Sequence, residues 1–146
     1  MNAVRSAALY TPDMLALAAS LAKYPLAKTF DLRVEERAQP CGSTIILGID
    51  CDPSGRLAQI GMQVTACAVG QSSAAILASG AQGLDKKTSA DNLRAIEAWL
   101  RGDAPLPDWP GFAALEPARD VPGRHGALLL AWRAAARALY SHSGPR

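Results

Sequence analysis

No stretch of this chain is apolar for the roughly 18 residues that a membrane-spanning helix requires. No run of five or more like charges occurs either, and the formal net charge is only +2. That argues against strong steering toward nucleic acid or a charged membrane surface. No apolar core with a cleavage site follows Met1-Asn2-Ala3-Val4-Arg5, so the expected location is cytoplasmic. Cysteine is scarce, with three residues. An odd count in a chain of this size does not make a secreted disulfide framework; it suits reduced thiols, metal binding or sulfur chemistry. Internal repeats and low-complexity linkers are missing too. The 146 residues, 49% of them hydrophobic, are enough for one domain with its own core. We expect a single domain over 1–146, with loose termini at 1–9 and 141–146.

The pattern that is present runs helix, three strands, three helices. Thr11-Pro12-Asp13 reads as a helix start, with Thr11 as N-cap and Pro12 at the first helical position. That helix should stop near Tyr24-Pro25. Phe30 to Glu35 alternates apolar and charged residues and reads as a strand. Gln39-Pro40-Cys41-Gly42 is a turn, Ser43 to Cys51 a central strand, Asp52-Pro53-Ser54-Gly55 a tight turn, and Arg56 to Ala66 a third strand. From Cys67 the period becomes helical, with small residues. A second helix opens at Thr88-Ser89-Ala90-Asp91 and stops near Gly102. Residues 103–118 hold four prolines and read as a loop, and a last helix begins near Pro122. The order predicts an α+β fold: a three-stranded antiparallel sheet with helices packed on one face.

The candidate site is a pair of cysteines. A turn centred between Pro53 and Ser54 pairs Cys41 with Ala66 and Cys67 with Pro40, so both thiols fall at one end of the hairpin. Cys51 falls at the other end and is expected to be a buried structural thiol. Cys67 also opens a predicted helix, where free N–H groups and the helix dipole favour a thiolate. Gly42 and Gly70 are expected to let backbone approach a bound ion or cluster. His125, at the start of the last helix beside Arg124, is a candidate third donor. The alternative reading makes both cysteines small apolar residues at strand ends; their convergence favours a functional pair.

At these residues the chain resembles the NifU/IscU-like (SufU-like) family of iron–sulfur cluster assembly scaffolds. Pro40-Cys41-Gly42 is similar to the family's first cysteine motif. Cys67-Ala68-Val69-Gly70-Gln71-Ser72-Ser73-Ala74 is similar to its second. Arg124 to Trp132 (RHGALLLAW) is similar to the third, in which a Cys follows the Arg by three positions. The family's Asp after Cys-Gly is Ser43 here, and its third Cys is Ala127. The resemblance implies the NifU-like fold and no enzymatic turnover. It implies an iron, zinc or [2Fe–2S] site on Cys41 and Cys67, with His125 as a possible donor and Gly42, Ser43, Gly70 and Arg124 around it. With two of four ligand positions kept, that site is labile, completed by water, a small thiol or a second subunit. The implied partners are a cysteine desulfurase and other iron–sulfur assembly proteins, with the chain a monomer or weak homo-oligomer. Cys41-Gly42-Ser43-Thr44-Ile45 also resembles the sulfur-acceptor motif of SufE-like proteins, which would make Cys41 a persulfide acceptor. A partner-binding module that keeps the fold without metal is the third alternative.

Overall fold

The computed structural model describes residues 9–39 and 42–142. The elements follow in the order α1 (Pro12–Ser20), β1 (Leu32–Arg37), β2 (Thr44–Cys51), β3 (Leu57–Thr65), α2 (Ala68–Gly80), α3 (Lys86–Leu100) and α4 (His125–His142). The strands form one antiparallel sheet in the order β1-β2-β3. This is the α+β architecture that the element order predicts, with helices packed against the sheet.

The helix ends follow local chemistry. Thr11 caps α1, its Oγ1 accepting from the Met14 N–H at 3.1 Å, with Pro12 behind it. A turn of 3-10 helix, Leu21–Lys23, extends α1 to Tyr24. The cap of α3 is Asp85, which accepts from the Thr88 N–H at 2.8 Å, so the helix starts earlier than the Thr88 opening expected from the sequence. A charged Lys86-Lys87 pair hides that start from any apolar period. The terminal expectations also shift: Leu9 is buried in the core, and α4 continues to His142.

The hairpin register differs from the symmetrical expectation. Thr44 lies opposite Thr65, where a turn centred between Pro53 and Ser54 predicts Gln63. The Asp52 N–H donates to Arg56 O at 2.8 Å, which puts Ser54 at the centre of the turn. A bulge between Asp50 and Cys51 then shifts the ladder further. Continued past Thr65, this register sets Cys67 opposite Gly42. Cys51 stays at the far end, opposite Leu57.

The two sheet faces are built differently. Ile45, Leu47 and Ile49 point to the helices and are fully buried; each such burial is worth about 1.5–3 kcal/mol relative to exposure. On the opposite face Gly48 pairs with Gly61, and the Phe30 ring lies on both: a Cβ at Gly48 would sit 2.4 Å from that ring. Residues 24–30 therefore strap the outer face. Helix α2 runs through the centre with Val69 to Ala78 buried apart from Gln71. Its two buried hydroxyls are satisfied. Ser72 Oγ lies between the carbonyls of Ala68 (2.6 Å) and Met14 (2.7 Å), and Ser73 Oγ donates to Leu128 O at 2.6 Å. The proline-rich segment is ordered. Phe112–Ala118 forms a 3-10 helix with Phe112 and Leu115 buried. Trp109 donates to Ile76 O at 2.9 Å and packs edge-on against Trp132, which ties it into the core.

The carboxylates of the turns fix an acid limit. Asp50 accepts from Lys28 and from the Asp31 N–H, and these bonds hold its carboxyl below the ordinary range. Asp85 is lowered by the Thr88 N–H, and Asp52 by the Ser54 hydroxyl. A lowered folded-state pKa gives stability that is present above the unfolded value and lost as pH falls through the folded one. The urea midpoint should thus hold between about pH 7 and 5 and fall below about pH 4. Asp50→Asn should flatten part of that fall; an unchanged profile would show that the Asp50 bonds carry no net stability.

Candidate functional site

A cavity of about 320 Å³ opens where the turn before β2, the junction of β3 and α2, and the start of α4 meet. Gly42 and Ser43 come from the first, Thr65, Ala66 and Cys67 from the second, and Gly123, Arg124 and Ala127 from the third. The three motif regions singled out in the sequence therefore converge on one place. A larger apolar hollow of about 510 Å³ lies between the 24–30 strap and β3. It is lined by no Cys, His or carboxylate.

Each wall has a local cause. Gly42 has φ +78°, a left-handed conformation that L side chains rarely adopt, and its N–H donates to Ala38 O at 2.9 Å. The Ala38 N–H donates to Ser43 O at 2.8 Å, which closes the turn and leaves Ser43 buried. Cys41 and Pro40, inside that turn, lie outside the described residues. Cys67 is the N-cap of α2, half-buried and in an extended conformation, and its side chain makes no capping bond. Nothing from the cap residue competes for the first free N–H groups of α2.

Gly70 is not beside an open ligand space. A Cβ there would stand 2.7 Å from Ala66 Cβ and 3.3 Å from Ala127 Cβ, so this glycine lets α2 and α4 approach each other. Gly126 meets the turn in a similar way, its Cβ position 3.4 Å from Gln39 O. His125 is absent from the cavity lining; its Nε2 donates to Arg119 O at 2.7 Å. Arg124 does line the cavity, and its Nε is buried without a hydrogen-bond partner among the described residues. Thr65 and Gly123 also line it and carry no sequence signal of their own.

The described lining offers one thiol, two hydroxyls and a guanidinium, with no carboxylate or imidazole. Among the described residues, no three Cys, His, Asp or Glu side chains converge to hold a metal ion. Cys67 alone would need several further donors to complete a tetrahedral site.

No protein-family model and no curated protein sequence matches the chain. Solved structures do. The chain superposes on an N-terminal nitrogen-fixing NifU-like protein from Brucella abortus with a TM-score of 0.83 and 24% identity, covering 94% of this chain and 96% of that one. It superposes on a protein described as an iron–sulfur cluster assembly scaffold for the SUF system, from Fervidobacterium islandicum, with a TM-score of 0.79 and 16% identity over 90% and 96% of the two chains. The fold is thus NifU-like. No helix among the described residues is long and apolar enough to cross a membrane.

Proposed function

We propose that this protein serves iron–sulfur cluster assembly as a scaffold-like component without turnover of its own. It holds iron or a labile [2Fe–2S] cluster through Cys41 and Cys67, with a cysteine desulfurase and other assembly proteins of the cytoplasm as partners. The observation that carries this reading is the cavity: Cys67 lies in it together with Gly42, which is bonded directly to Cys41. The scaffold-like fold supports it. The cluster is cargo, and ligands beyond the two thiols come from water, a small thiol or a second subunit. Zinc is the alternative ion for the same thiols. His125 can contribute through Nε2 only by leaving the Arg119 carbonyl.

Anaerobic reconstitution with ferrous iron and sulfide tests this. Charge-transfer absorbance should appear, and Cys41→Ala and Cys67→Ala should each remove most of it. Absorbance that survives both substitutions would end the proposal. A second reading, a SufE-like acceptor that takes persulfide sulfur on Cys41, is favoured by the carboxylate-free lining and by Ala127 at the third ligand position. A desulfurase supplied with sulfur-labelled cysteine should then label Cys41, and an unlabelled Cys41 by mass spectrometry would remove that reading.

A further inference from the structure

We propose that the hollow beside the 24–30 strap is a docking cleft for the C-terminal end of a partner polypeptide. The occupant is an extended segment of about three apolar residues that ends in a free carboxylate. It adds a short strand to β3 at Ile60 and sets its carboxylate against Lys28. The cleft lies toward the Leu57 end of β3, away from Cys67, and needs no metal or sulfur chemistry.

β3 is an outer strand of the sheet, and its outer edge is covered at two points. At one, the Met62 N–H donates to Tyr24 O at 2.9 Å. At the other, the Leu57 N–H donates to Leu84 O at 2.8 Å and Leu57 O accepts from the Gly83 N–H at 2.7 Å. Alternate residues of an antiparallel ladder turn their N–H and C=O away from the neighbouring strand. Met62 turns away from β2, so Ile60, two positions back in an unshifted register, does the same. Among the described residues, neither the strap nor the 83–84 turn bonds to the Ile60 backbone. An extended chain laid beside Ile60 would take both groups. The opening is short: Leu57 and Met62 are five positions apart, roughly 16 Å. A through-running strand would meet the strap at one end and Gly83-Leu84 at the other, whereas a chain end fits. Tyr24, Phe30, Leu57, Ile60 and Ala78 make the walls apolar around about 510 Å³, within the size range of ligand sites. Lys28 is the only charged side chain of the lining, so the complementary occupant is anionic. Its Nζ stands 4.5 Å from the Phe30 ring centroid and pairs with Asp50. An ammonium has three N–H donors, and those that Asp50 does not take are available to a terminal carboxylate.

The test uses the full chain, reduced and metal-free, and a pool of fluorescent hexapeptides whose last three residues are drawn from Val, Ile, Leu and Phe. The pool is made once with a free C-terminal carboxylate and once as the amide. Anisotropy reads binding, and NMR reads hydrogen exchange of the Ile60 amide. The tightest free-acid peptide should bind about tenfold better than its amide, the scale of one charge-assisted hydrogen bond. Lys28→Gln should bring the two together, and Lys28→Arg should keep most of the difference, which separates charge from packing of the strap. At a peptide concentration ten times Kd, the Ile60 amide should exchange about tenfold more slowly, with little change at Met62, which Tyr24 already holds. Three results would each overturn the proposal: no binding of either pool, equal affinity for acid and amide in wild type, or bound peptide that leaves Ile60 exchange unchanged. Decanoate is the non-peptide control. If it displaces the peptide with equal affinity and leaves Ile60 exchange as in the free protein, the hollow belongs to a lipid carboxylate and the proposal fails. No iron or sulfide enters the assay, so its outcome is distinct from that of cluster reconstitution.

Discussion

Ser43→Asp combined with Ala127→Cys will turn the cavity into a tight divalent-metal site. Both positions line the same space as Cys67, so each substitution adds an anionic donor where the wild-type chain presents a hydroxyl or a methyl group. Four-ligand zinc sites supply about 10–16 kcal/mol at neutral pH, which is about 3 kcal/mol per donor. Each single variant should therefore bind Zn²⁺ on the order of 10²-fold more tightly than wild type, and the pair on the order of 10³–10⁴-fold. The metal-free double variant should melt below wild type, because Ser43 and Ala127 are buried and a carboxylate there is costly until paired. Added Zn²⁺ should reverse that loss by mass action. Competition with a chromophoric chelator measures the affinity, and Co²⁺ absorption reports tetrahedral thiolate ligation. A double variant that binds no better than wild type would mean that positions 43 and 127 do not converge with Cys67.

Trp132→Ala will be the most damaging single core substitution. Trp132 is 3% exposed and packs edge-on against Trp109 at 4.9 Å and Phe112 at 5.8 Å. Its Nε1 donates to Ser73 Oγ at 2.8 Å, and that hydroxyl donates onward to the Leu128 carbonyl. Removing the indole deletes the packing of three elements and leaves a cavity, at a cost of about 3–5 kcal/mol. For a chain of this size that lowers Tm by roughly 10–15 °C. Trp132→Phe keeps much of the apolar volume and should cost less than half as much. Ser73→Ala leaves the indole N–H buried without its acceptor and should cost about 1–3 kcal/mol. The two positions share one hydrogen-bond chain, so Ser73→Ala should cost less once Trp132 is already Phe. Urea unfolding followed by circular dichroism measures each value. A loss under about 1 kcal/mol for Trp132→Ala would contradict the packing role assigned to it.

The elements that could be read from the sequence were those with strong local grammar. Thr11-Pro12-Asp13 states a helix start outright, and the alternation in β1 and β3 has no competing period. The register was less legible. Asp50 and Cys51 give no sign of the bulge between them, and a hairpin register depends on how many residues the turn consumes. Gly70 is ambiguous in the sequence for a related reason. A glycine beside a cysteine motif fits ligand approach as well as helix approach, and only the position of Ala66 and Ala127 decides between them. His125 was a plausible donor by residue type and place, yet the Arg119 carbonyl lies six residues upstream in a segment with no periodic signal. Arg124 stands in a motif, whereas the burial of its Nε is a property of the folded chain alone. The convergence of the three motif regions on one cavity follows from the antiparallel order β1-β2-β3 and the return of α4.

The strap over the sheet has a consequence for recognition. On β3 the Met62 N–H donates to Tyr24 O at 2.9 Å, and Leu57 exchanges two hydrogen bonds with Gly83 and Leu84. On β1 the Arg137 guanidinium takes the Glu35 carbonyl at 2.9 Å. At these points the protein has already spent on itself the backbone groups that an extended peptide would use to add a strand. A partner docking at these points would have to read side chains and loop shape instead.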